Sequence, residues 1–145
     1  MIWEMVATAA AGVFFGAAVY VNLVEQPARL SCGLSLAVTE WRPSYWRGTL
    51  MQAPLALAGS VAALLAWWSE RNAGWLIGGV LLFLVIPFTL IVIFPTNKKL
   101  ESQELDVNSE EARRLLRRWG QLHAVRSLLS SMAFLVFLWM LAGKP

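Results

Sequence analysis

Long apolar stretches separated by short polar ones dominate this chain. Four of them run from about Trp3 to Leu23, Trp46 to Trp68, Gly74 to Phe94 and Trp119 to Leu141. Each is near the ~20 residues that a helix needs to cross the hydrocarbon core of a bilayer. Residues 3–23, 46–68, 74–94 and 119–141 are therefore expected to span a membrane. In the first span Thr8, Gly12 and Gly16 fall at four-residue spacing, a stripe of small residues that would let a second helix approach closely. Gln52 and Pro54 stand near the start of the second, and Pro87 interrupts the third. The fourth differs: Ser109 is an N-cap candidate, Glu110 and Glu111 suit the positive end of the helix dipole, and arginines precede the apolar part. That helix is predicted to start near residue 109 and to outreach the membrane. The pattern predicts an all-α integral membrane four-helix bundle, a single domain over residues 1–145.

Composition agrees. Of 145 residues, 58% are hydrophobic and 14% charged, against about 25% charged in a soluble domain. The net charge of +3 is too small to imply nucleic acid. Cys32 is the single cysteine, so neither an intrachain disulfide nor a cysteine pair for a metal is available. No Lys or Arg precedes the first apolar run, and Glu4 lies where a signal peptide would be basic, so the first span is expected to be retained.

The basic residues set an expected orientation. Arg29, Arg42 and Arg47 lie between spans one and two; Lys98, Lys99, Arg113, Arg114, Arg117, Arg118 and Arg126 lie between spans three and four or at the start of the fourth. Only Arg71 and Lys144 fall on the other side. The positive-inside rule then puts both longer loops in the cytoplasm and both termini outside, with a bacterial inner membrane as the expected location. Trp3, Trp67, Trp68, Trp75 and Trp139 would form the outer aromatic belt, and Trp41, Trp46 and Trp119 the inner one. The halves repeat faintly: an apolar helix, a Pro-containing break (Pro27 to Leu30; Pro95 to Leu100), then a helix that starts polar.

Polar groups at membrane depth are costly and usually face inward. Trp119, His123, Arg126, Ser127, Ser130 and Ser131 form one stripe of the fourth helix. Asn22, Glu25 and Arg29 share a face of the first. Gln52 lies a turn inside the second, and Thr89 and Asn97 bracket the end of the third. All four helices thus bring polar groups to one level. Each has a plainer reading: Glu25 can pair with Arg29 or Arg126, Asn97 can cap a turn, the serines can hold helices together, and the arginines can meet lipid phosphates. No nucleotide-binding glycine pattern, HExxH or hydrolase elbow is present, and one histidine cannot build a two-His iron site, so no dedicated metal site is expected.

Val24-Glu25-Gln26-Pro27-Ala28-Arg29, Met51-Gln52-Ala53-Pro54, Pro95-Thr96-Asn97-Lys98-Lys99-Leu100 and Trp119-Gly120-Gln121-Leu122-His123-Ala124-Val125-Arg126, in this order, resemble the anthrone oxygenase-like family of small four-helix membrane proteins. The resemblance implies oxygenation of a hydrophobic, anthrone-like aromatic substrate with O2 and without cofactor. In that reading His123 is the general base, Arg126 and Asn97 stabilise the oxyanion, and Glu25 orients or charge-balances His123 or Arg126. Trp119 and Tyr20 stack on the substrate, and Gln52 helps to bind it. The same family is similar to haem- and copper-associated bundles, which gives the alternative of a haem protein with His123 as axial ligand. A non-enzymatic membrane scaffold is the third reading. The partners implied are the lipid bilayer, a hydrophobic small molecule and, through the Gly12/Gly16 stripe, a homo-oligomer.

Overall fold

A computed structural model describes residues 1–143; Lys144, counted above among the outer basic residues, lies outside the described residues. Four helical rods make up the described chain: α1 (Ile2–Ser31), α2 (Leu34–Glu70), α3 (Ala73–Glu101) and α4 (Glu110–Ala142), all long and apolar enough to cross a membrane. α1 and α3 each pack against both α2 and α4, while the diagonal pairs scarcely meet. The result is a four-helix bundle with neighbouring helices antiparallel. The start of α1, the close of α4 and the α2–α3 turn share one end of it, here the terminal end. The other two connections mark the basic end.

The connections follow from local chemistry. Gly33, at φ +94°, turns α1 into α2 in a conformation that other residues resist. Arg71 closes α2 in the left-handed region, and the Asn72 side chain caps α3 by accepting from the Gly74 N–H at 3.0 Å. Ser109 caps α4 as its sequence predicts, its hydroxyl accepting from the Ala112 N–H at 3.1 Å.

Three rods run further than apolarity alone predicts. α2 begins at Leu34, so Arg42 and Arg47 ride on a helix, and α1 and α3 continue to Ser31 and Glu101. The residues at the basic end have a core of their own to bury. Ala37, Val38, Trp41, Ile93, Leu100, Leu116 and Trp119 form a second hydrophobic cluster beyond the Ala7, Ala11, Phe14, Ala63, Trp75, Leu82 and Phe137 cluster. The expected aromatic belts change accordingly: Trp41, Trp75 and Trp119 are core residues, while Trp3, Trp46, Trp68 and Trp139 face outward.

Pro27 and Pro95 do not break their helices. Each follows a π-helical segment, Val21–Glu25 in α1 and Thr89–Ile93 in α3. There the Gln26 N–H bonds to the Val21 carbonyl and the Phe94 N–H to the Thr89 carbonyl. Proline lacks an N–H and its ring collides with the carbonyl four residues back; the wider turn takes up the misfit without ending the rod.

Small residues set the helix spacing, as they must where lipid tails remove the hydrophobic drive for association. A Cβ on Gly79 of α3 would lie 2.9 Å from the Ala63 Cβ of α2, and one on Gly59 of α2 only 3.1 Å from the Ala10 Cβ of α1. Of the expected Thr8/Gly12/Gly16 stripe, Gly12 fits this pattern, with a Cβ 2.8 Å from the Phe134 ring. Gly16 would meet nothing within 4 Å. The alanine face of α1, not the glycine stripe, is what meets α2.

Candidate functional site

Beneath the Ala-rich cluster, α1, α2 and α4 bring polar side chains to one level. His123 and Arg126 are both buried on the inward stripe of α4. Asn22, within the π segment of α1, reaches across to them. Its Nδ2 donates to the Gly120 carbonyl at 3.0 Å, while its Oδ1 lies 2.9 Å from His123 Nδ1 and accepts from the Ser127 hydroxyl at 2.6 Å. His123 Nε2 makes no hydrogen bond among the described residues. The imidazole packs on the Trp119 ring, centroids 4.9 Å apart, and Trp119 sets its edge against Trp41.

Two buried arginines differ sharply. Arg29 bonds to the carboxylates of Glu25 and Glu40, to Gln26 Oε1 at 2.8 Å and to Ser44 Oγ at 3.0 Å. Arg126, only 8% exposed, donates from Nη2 to Gln52 Oε1 at 2.7 Å and sits over the Phe14 ring at 5.5 Å. No carboxylate pairs with Arg126 among the described residues, and its Nε has no partner. A cation that has given up water normally gains an anion in exchange.

Glu25, Gln52, Trp119, His123 and Arg126 line one recess with Val21, Ser44 and Tyr45. Its volume, about 20 Å³, admits a water-sized molecule. Val21, Glu25, Ser44, Gly48 and Gln52 also line a groove of about 570 Å³ between α1 and α2, whose wall includes Tyr20 and Met51. That groove is of small-molecule size, and the recess lies along it.

Among the residues singled out by sequence, Tyr20 is 55% exposed and stands on the groove wall, outside the recess. Glu25 bonds to Arg29 and Ser44 and reaches neither His123 nor Arg126. Asn97 does not join the group. It is fully buried on α3 between Ile93 and Leu100, with neither side-chain polar atom bonded, and it lines neither recess nor groove. Inside a continuing helix it does not cap a turn. Asn22 stands on the polar face that the sequence marks but carries no expected role there, and Gln26 and Ser44 are additions of the structure. Asn22, Gln26 and Arg29 stand at i, i+4 and i+7, one polar stripe in an otherwise apolar stretch, and that spacing is the signal that could have found Gln26.

Fold and site together define a class: a four-helix bundle of membrane-spanning length with a single histidine and an uncompensated arginine in a recess that shares its wall with a groove between α1 and α2. The family model for anthrone oxygenase matches residues 41–136, and the chain belongs to that family. Over 56 residues it is 45% identical to the anthrone oxygenase tpcL of Aspergillus fumigatus, a stretch making up 37% of this chain and 35% of that relative. The chain thus matches about a third of the relative's length. No solved structure matches it. The family match covers most of α2, all of α3 and most of α4; Asn22, Glu25 and Arg29 on α1 precede it.

Proposed function

We propose that this protein is a membrane-embedded oxygenase that converts a flat, apolar, anthrone-type substrate and O2 to the corresponding quinone and water, with His123 as general base. The observation that carries this reading is the unpartnered His123 Nε2 beside a buried guanidinium without a counter-ion, in a recess along a small-molecule groove. Such a substrate partitions into the bilayer and reaches the groove from the side. It has an acidic methylene next to its ring system. His123 Nε2 takes one methylene proton, and the resulting carbanion, delocalised onto the carbonyl oxygen, is stabilised by Arg126. The carbanion passes an electron to O2, and the radical pair joins to form a C–O bond. The peroxide regains the proton from the imidazolium. Removal of the second methylene proton then breaks the O–O bond, expels hydroxide and forms the new carbonyl. The summed change is substrate plus O2 to quinone plus water, with no outside reductant.

The test is anthrone oxidation by the purified protein in detergent or vesicles, measured above the non-enzymatic rate. His123→Ala is expected to lose ~10²–10⁴-fold, with its melting temperature nearly unchanged, because Asn22 keeps its bonds to Ser127 and Gly120. A wild type no faster than buffer would refute the proposal. So would a Soret band that vanishes in His123→Ala, which would make the histidine a haem ligand.

A further inference from the structure

The hydrogen-bond pattern around Asn22 is over-determined, and it fixes more than a contact. The Gly120 carbonyl can only accept, so the atom of Asn22 that meets it must be the amide nitrogen. That leaves Oδ1, an acceptor with no proton to give, facing both Ser127 Oγ and His123 Nδ1. Both neighbours must therefore donate, and each takes one of its two lone pairs. A neutral imidazole carries one proton, and this geometry holds it on Nδ1.

From this we infer that Asn22 is a positioning residue: its side-chain carbonyl locks His123 in the Nδ1–H tautomer and aims the basic Nε2 lone pair away from α1. The catalytic consequence rests on the base role proposed above, since only this tautomer offers Nε2 as a proton acceptor. The tautomer itself does not. A free histidine would distribute itself between both forms; here three anchors on two helices select one. Asn22 sits in the π segment, whose extra residue per turn turns its side chain toward α4. The orienting group is neutral, so it fixes the ring without adding a negative charge beside the Arg126 site.

The chain has a single histidine, so ¹⁵N labelling of histidine side chains reads this ring alone. In detergent-solubilised wild type at neutral pH, the expected spectrum has a protonated-type Nδ1 and an unprotonated-type Nε2. Ser127→Ala leaves Asn22 Oδ1 free to accept from the ring and is expected to keep that spectrum. Asn22→Ala removes the acceptor and is expected to give a mixture or the opposite tautomer, with kcat lower by roughly ten-fold, the worth of one hydrogen bond, and KM little changed. A wild type with the proton on Nε2 would overturn the inference, as would an unchanged spectrum in Asn22→Ala. If Asn22→Ala does not fold, the wild-type and Ser127→Ala spectra still decide. Absence of anthrone turnover in a wild type that shows the Nδ1–H spectrum would refute the oxygenase reading and leave the positioning role intact.

Discussion

At the scale of single residues, the two buried arginines divide the labour. Arg29 is neutralised by two carboxylates and ties α1 to α2. Arg126 has one neutral acceptor, Gln52. Removing that acceptor should therefore be costly: Gln52→Leu is expected to destabilise the fold by about 1.5–3 kcal/mol, the range for a hydrogen bond to a charged group. A thermal or denaturant melt in detergent checks this, and adding Arg126→Met should recover part of the loss, because no unpaired cation is then left. His123, Arg126 and Gln52 were legible in the sequence because a polar residue in an apolar run has few reasons to be there. Asn97 gives the same signal and lies elsewhere, since spacing along one helix does not say which neighbour a face will meet. The partnership of Asn22 with His123 was not legible. It depends on a π turn, which shifts the angular register that a regular helical period assumes.

At the scale of elements, the two π segments stand at the same offset as Pro27 and Pro95, so the repeat that was faint in sequence reappears as backbone geometry. Equivalent positions differ: Asn22, Glu25, Gln26 and Arg29 in α1 correspond to Leu90, Ile93, Phe94 and Asn97 in α3. One seam carries hydrogen-bonded polar groups, and the other is mainly apolar. At the basic end the helices run past the apolar spans because a second core holds the polar stretches there helical, a packing effect that apolarity along the chain does not register. The glycines separate by what surrounds them. Gly79→Ala forces α2 and α3 apart and is expected to cost about 1–3 kcal/mol, whereas Gly16→Ala should be neutral. Melting curves of the two variants side by side check the contrast.

At the scale of the whole molecule, the fold class followed from four apolar runs, and the alternation of helices puts Cys32 and the α3–α4 loop at the same end. By the positive-inside rule that end is expected on the cytoplasmic side. The exposed Cys32 is then a ready probe. An impermeant thiol reagent is expected to miss it in intact cells and to label it once they are opened, while Ala73→Cys in a Cys32→Ser background should be labelled in intact cells. The reverse pattern would invert the orientation. The two-tier core has a further bearing on a membrane that carries a voltage. On α4 the buried polar groups end at Ser130, and from there to the terminal end the centre of the bundle is filled by Ala7, Ala11, Phe14, Ala63, Leu82, Ala133 and Phe137. Toward that end the buried polar side chains among the described residues are Glu4 and Thr8 on α1, and the Thr8 hydroxyl is turned onto the Glu4 carbonyl of its own helix. Under the base role proposed for His123, this apolar layer would serve as electrical insulation between the site and the terminal end of the bundle.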